Sequence, residues 1–266
     1  MNAQERYLEV NRKLWNEKTD YHFKSDFYDM PSFLAGNTTL KEVELALLGD
    51  AKGKDVLHLQ CHFGQDSLSL ARMGANVTGV DLSDKSIDTA KALNEQLGLN
   101  AEFIQSDVYE LSKVHNKQYD IVFTTYGVLG WLPDMDKWAG VVSHFLKPGG
   151  KLILVELHPV VWMFDSQFSY VQFPYFNTEA IVETSQGTYA DREAPIQLEE
   201  IGWNHPLSEV MQGLLGKGLE ISDFREYDFA PFNCLANMVK AGNNRYQVKG
   251  MEGKLPLLYS LVATKK

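Results

Sequence analysis

Cysteine is almost missing from the 266-residue chain: only Cys61 and Cys234 occur. That excludes a disulfide framework and fits a reducing cytosol, and the two are not at metal-ligand spacing. Long apolar runs are missing too. The most apolar stretch, residues 151–161, is broken by Glu156 and His158 and falls short of the roughly 20 residues of a membrane-spanning helix. The opening MNAQERYLEV lacks the apolar core of a secretory signal. Cationic excess is lacking as well. The 25 Lys and Arg face 35 Asp and Glu, a formal net charge of −10, which disfavours nucleic acid as a partner. No internal repeat or low-complexity tract stands out. These absences lead to the expectation of a soluble cytoplasmic protein with no membrane, nucleic-acid or metal partner. What is present is ordinary for a globular chain: 44% hydrophobic and 23% charged residues. The length is a prior for one or two domains and is enough for a large core without cross-links.

Residues 3–18 read as a polar helix with Leu8, Leu14 and Trp15 on a mixed face. Residues 21–30 (YHFKSDFYDM) are aromatic and polar, and Pro31 is expected to end any regular element there. Leu40, Val43 and Leu47 keep helical spacing up to Gly49. From Asp55 the pattern changes. Short apolar runs over 56–59, 76–82, 101–105, 119–123 and 151–157 alternate with amphipathic stretches over 64–73, 83–98 and 135–146. Ser83 is placed as an N-cap, and Pro148-Gly149-Gly150 punctuates the entry to the fifth run. Apolar strands alternating with helices predict an α/β fold: a doubly wound, mostly parallel sheet covered on both faces.

After residue 160 the rhythm breaks. Trp162, Phe164, Phe168, Tyr170, Phe173, Tyr175 and Phe176 crowd into a short span. Residues 180–190 read as a hairpin turning near Gln186-Gly187. A helix over 207–215 and strands over 219–229 and 255–264 complete the pattern. The aromatic block is an insertion after the fifth strand, either a second small core or a lid or acceptor pocket, and the lid is preferred.

Open parallel sheets bind ligands beyond the carboxyl ends of their strands. The turn from Gln60 to Gly64 lies there, with the following helix presenting its N–H groups. Asp81 closes the second strand, placed to accept from both hydroxyls of a ribose; the plain alternative is a cap on the helix at Ser83. His58, inside an apolar strand, reads as a core histidine, and Cys61 as small buried filler. His62, at the loop tip, is open between ligand contact and structure. Glu156 is expected at the site or on loop backbone, and His205 reads as a helix-start neighbour of Pro206.

In this order and spacing the segments resemble the class I S-adenosylmethionine-dependent methyltransferases, over residues 50–158 above all. The positions of that family's first motif are His58, Gln60, His62 and Gly64, where only the last glycine is kept. The loop Leu59-Gln60-Cys61-His62-Phe63-Gly64-Gln65-Asp66 looks like a variant branch acting on small molecules. Gln105-Ser106-Asp107-Val108 matches the adenine motif, residues 119–126 (YDIVFTTY) the fourth strand and its exit, and residues 146–152 (LKPGGKL) the turn into the fifth. The resemblance implies a Rossmann-like seven-stranded sheet whose last strand enters antiparallel.

It also implies S-adenosyl-L-methionine as cofactor and a small-molecule methyl acceptor. Asp81 and Leu82 would meet the ribose, Asp107 and Val108 the adenine, and Leu59, Gln60, Cys61, Gly64, Gln65 and Asp66 the methionine end. Trp15 and Tyr21 would fold over the cofactor. Tyr126 is expected beside the sulfonium, worth about 0.5–2 kcal/mol as a cation–π wall, with Trp131 packing behind it. Tyr126 and His158 are the catalytic candidates. Residues 1–49 would be a helical cover and 50–266 the catalytic domain, with the insertion 160–204 as lid or acceptor pocket; the chain would act as a monomer or homodimer. A nicotinamide-dependent oxidoreductase is the first alternative, disfavoured by the missing glycines. A non-enzymatic S-adenosylmethionine-binding protein is the second.

Overall fold

The computed structural model describes residues 3–177 and 179–266. The alternating half of the sequence forms α/β units. β1 (Asp55–Leu59) leads to α4 (Gln65–Arg72), β2 (Asn76–Asp81) to α5 (Asp84–Gln96), and β3 (Glu102–Gln105) to a 3-10 turn over Val108–Lys113. β4 (Tyr119–Thr125), α6 (Met135–Phe145) and β5 (Leu146–Leu157) follow. Ahead of them come α1 (Ala3–Lys24), α2 (Met30–Leu34) and α3 (Glu42–Leu48). The last third carries β6 (Ile181–Gln186), β7 (Gln197–Gly202), α7 (Leu207–Gly216), β8 (Leu219–Tyr227), β9 (Met238–Gly242), β10 (Arg245–Val248) and β11 (Leu258–Lys265).

The main sheet has the order β3-β2-β1-β4-β5-β11-β8. Every neighbouring pair among β1 to β5 is parallel, whereas β11 runs antiparallel to both β5 and β8. This is the seven-stranded arrangement the sequence led us to expect. Strand alternation splits the core in two. Leu57, Leu152 and Leu154 face α6 and α7, around the fully buried Trp138. Val56, Ile153 and Val155 face the other side, with Val43, Leu48 and Leu70. The order reverses between β1 and β4, so their carboxyl ends diverge and open a crevice.

Several local expectations are corrected. The first helix runs on to Lys24, because His22 lies on its buried face. Pro31 does not end an element but sits in the first turn of α2, where its missing N–H costs nothing. The hairpin does leave β6 at Gln186-Gly187, but its partner is β7, paired from Gln186↔Gln197 to Ile181↔Gly202, across a ten-residue loop. The β9–β10 hairpin went unforeseen. No helix among the described residues is long and apolar enough to cross a membrane.

Gly79, in the middle of β2, is needed for close approach. A Cβ there would stand 2.8 Å from the Phe103 ring and 2.9 Å from the Cys61 sulfur, and both pack under the β1–α4 loop. Gly79→Ala should therefore destabilise the fold by about 1–3 kcal/mol, read as a lower urea midpoint at unchanged slope.

Candidate functional site

A cavity of about 510 Å3 opens at the switch point between the ends of β1 and β4, inside the roughly 300–1,000 Å3 range of small-molecule sites. Its floor is the β1–α4 loop. Gln60, His62 and Gly64 all take left-handed backbone conformations, with φ of +56°, +51° and +80°. Glycine adopts that region freely and other residues at a cost of about 1 kcal/mol or more each. The loop thus keeps the path of a glycine loop although two of its three key residues carry side chains. Those side chains are used. Gln60 Nε2 donates to the Val128 carbonyl at 2.9 Å, leaving its Oε1 buried without a hydrogen-bond partner. His62 Nδ1 lies 3.0 Å from Ser86 Oγ and its Nε2 lies 2.9 Å from His22 Nδ1.

Asp81 ends β2 at the cavity floor. Its two carboxylate oxygens accept from the backbone N–H groups of His62 and Ser83, each at 2.8 Å. Burial pushes its pKa up to about 6, against the lowering effect of those bonds. It therefore ties two loops together, and Ser83 caps α5 by accepting from Ser86 N–H. Leu82 lies beside it on the cavity wall. Asp107 accepts from Tyr109 N–H at 3.1 Å, and the following Val108 is buried against the cavity. Leu59 and Cys61 are buried under the loop, and burial holds the Cys61 thiol well above its ordinary value.

The other wall is the exit of β4. Tyr126 has φ +55° and donates its hydroxyl to Glu44, a buried acid on α3 whose pKa burial pushes up to about 7. The next turn is clamped by Glu156, which accepts from Gly127, Val128 and Leu129 N–H, the last two at 2.8 and 3.0 Å. Glu156 thus serves loop backbone. Trp131 faces the cavity and is anchored by its indole N–H on the Gly127 carbonyl at 2.8 Å.

The remaining walls come from far along the chain. On α1, Tyr7, Asn11, Trp15 and Lys18 face the cavity, whereas Tyr21 lies off that face. Tyr28 takes the place expected for Tyr21: its hydroxyl hydrogen-bonds Tyr189, from the β6–β7 loop, which also faces the cavity. Asn11 locks α1 to β7 by two bonds to the Ile201 backbone, at 2.8 and 3.1 Å. Gln65 is turned away to the Tyr28 carbonyl at 2.9 Å, and Asp66 accepts from Thr39.

Two expectations fail on side-chain direction. His158 does follow the end of β5, but its Nε2 lies 2.9 Å from Glu226 on β8 and its Nδ1 accepts from Val160 N–H. Leu157 instead faces the cavity. Of the aromatic block only Trp162 touches the cavity; Tyr170 and Phe176 are exposed and Phe164 stacks on Phe168. The β6–β7 hairpin, beyond that block, lines the cavity instead. Glu44, Lys18, Tyr28 and Phe232 were missed. Glu44 had a signal: an acid on the apolar stripe of a helix. Phe232 had none. His58 is a core histidine bonded to Ser67, and His205 is fixed by Leu132 and Glu209, as read from sequence.

Residues 56–150 match the family described as a methyltransferase domain. Over 122 residues the chain is 38% identical to the ubiquinone biosynthesis O-methyltransferase of Coxiella burnetii, covering 46% of this chain and 50% of that one. The chain thus spans about half the length of the curated relatives it matches. Its fold is that of S-adenosylmethionine-dependent methyltransferases. The structure of one from Methanosarcina mazei superimposes with a TM-score of 0.57 at 22% identity, covering 85% of this chain and 98% of that one. Another, from Clostridium acetobutylicum, covers 99% of both chains with a TM-score of 0.56 at 16% identity.

The histidine pair that joins α1 to the loop makes stability depend on pH. Burial holds His22 at about 2 and His62 at about 3, against an ordinary 6.5. Below pH 6.5 the unfolded chain takes up protons that the folded chain refuses, so each histidine removes up to about 1.4 kcal/mol of stability per pH unit. Asp81 and Glu44, with raised values, act in the opposite direction, so the comparison must be differential. The stability advantage of wild type over His22→Asn should shrink by about 1–2 kcal/mol between pH 7 and pH 5. An advantage that stays constant in urea titrations contradicts this.

Proposed function

We propose that the protein is an enzyme that moves the methyl group of S-adenosylmethionine to a small-molecule acceptor. The observation that carries this reading is Asp81. Its carboxylate ends β2 on the cavity floor, and each oxygen spends one acceptor site on backbone and retains another for a ribose hydroxyl. The residues present fit the cofactor in two further respects. Val108 offers a buried apolar platform for adenine, with Asp107 beside it to accept from an exocyclic amine. The unpaired Gln60 Oε1 is a buried acceptor suited to an ammonium. Leu59, Cys61 and Gly64 shape the floor, Leu82 lies beside the ribose position, and Trp15 covers it from α1. Asp66 adds negative charge at the same end. Gln65, engaged with Tyr28, holds the cover instead.

When bound, the cofactor supplies an electrophilic methyl on a sulfonium. The chain's own contribution is alignment and exclusion of water. α1 and the β6–β7 hairpin close the cavity, and the Glu156 clamp fixes the β4 exit. Tyr126 is the group placed to take a proton from an acceptor hydroxyl, since Glu44 behind it can receive the tyrosine's own proton. Phe27, Tyr28, Tyr189 and Phe232 give the acceptor half an aromatic lining, suited to a flat, partly apolar hydroxyl compound. The relatives' name, an O-methyltransferase, supports oxygen as the acceptor atom. Residues 1–49 and the hairpin of the insertion act as covers to one catalytic domain.

Transfer of labelled methyl from S-adenosylmethionine into a small-molecule extract tests the activity; incorporation nowhere would leave only a binding protein. Asp81→Asn should weaken S-adenosylhomocysteine at least tenfold by calorimetry, about 1.4 kcal/mol. An unchanged dissociation constant, or binding of NADH in its place, contradicts the reading.

A further inference from the structure

Two lysines reach the cavity, Lys18 and Lys41, and only Lys18 is buried. Its ammonium lies 5.1 Å from the Trp15 ring and 5.5 Å from the Trp131 ring. Its one hydrogen bond among the described residues goes to Glu200 Oε2 at 3.4 Å, longer than the about 2.7–2.9 Å of a well-made charge-assisted bond. Glu200 is itself set directly across the hairpin from another acid, Glu183. An ammonium has three donors, so most of the hydrogen-bonding capacity of this buried cation is unspent, at a cost in free energy. Burial accordingly lowers the Lys18 pKa, and Glu200 only partly restores it. Trp15 also stands edge-on to His62, 5.3 Å away, and Trp131 is anchored on Gly127. The ammonium is thus held at the roof of the cavity, between the β1–α4 loop and the β4 exit.

We propose that Lys18 is a carboxylate-binding point inside the cavity, receiving a ligand's carboxylate beside the packed Trp15–Trp131 pair, whose ring centroids lie 5.4 Å apart, and next to Glu200. The proposal rests on the cofactor reading above. A carboxylate fits better than a phosphate. The position has one buried cation, it is flanked by an indole pair, and the cavity already carries Asp66, Asp81, Asp107 and Glu200, so a dianion would be repelled. Two ligands present this group: the amino-acid end of the cofactor, and an acceptor that is an acid.

The test is calorimetry on the full chain and on Lys18→Met, which keeps an unbranched apolar stem without the charge. S-adenosylhomocysteine carries the carboxylate, whereas 5′-methylthioadenosine shares the adenosine and thioether without it. If the cofactor is the source, Lys18→Met weakens S-adenosylhomocysteine at least tenfold and changes 5′-methylthioadenosine less than twofold, and Lys18→Arg recovers most of the loss. If an acid acceptor is the source, both nucleosides bind the variant as before. Benzoate, but not benzamide, then raises the melting temperature of the S-adenosylhomocysteine-loaded wild type, and the variant loses that increase. Equal weakening of both nucleosides, or no dependence on Lys18 in either arm, overturns the proposal. Wild type that binds neither nucleoside contradicts the cofactor reading instead, and benzoate against benzamide on the unliganded protein then decides Lys18 alone.

Discussion

A single carboxylate, Asp81, holds the cavity floor in shape. It bonds the backbone of the β1–α4 loop through His62 and that of the β2–α5 turn through Ser83. It helps to hold Gln60 and His62 in left-handed conformations that neither residue favours. Strain of this kind persists where surrounding contacts over-determine it. Here the contacts are Asp81 below, Val128 against the Gln60 amide, and Ser86 with His22 around the imidazole. The same carboxylate is held at a raised pKa by its recess.

Replacing two glycines by side chains also changes what the loop can touch. His62 reaches α1 through His22, so the floor of the cavity and its cover are one hydrogen-bonded unit. Asn11 then fastens α1 to β7, and Tyr28 meets Tyr189 from the same hairpin. On the opposite wall a second strand-end carboxylate, Glu156, gathers three consecutive N–H groups after β4. The site is therefore framed by loops tied down by acids, while its roof comes from segments outside the sheet.

The sheet and the floor were legible in the sequence for a physical reason. Buried parallel strands must be continuously apolar, and the helices between them must keep a 3.6-residue stripe, so alternation from Val56 to Leu157 leaves few folds open. Strand ends in such a sheet mark a site, which located Gln60, Asp81, Asp107 and Tyr126 in one cavity. Direction was not legible. Whether Leu157 or His158 faces the crevice turns on one residue of alternation at a strand end, and pattern cannot fix that. Nor was the roof legible. Tyr28, Tyr189 and Phe232 lie in segments without periodicity, and the density of aromatics at 162–176 drew attention to a block that is mostly exposed. Lys18 was hidden in a helix whose polar composition masks a buried face.

The cofactor role of the cavity depends on where an adenosine sits. A crystal structure of the protein with S-adenosylhomocysteine measures that directly. Both ribose hydroxyls are expected within hydrogen-bonding distance of the Asp81 carboxylate, with the adenine against Val108. Ordered ligand elsewhere on the molecule, or an empty cavity at saturating ligand, contradicts it.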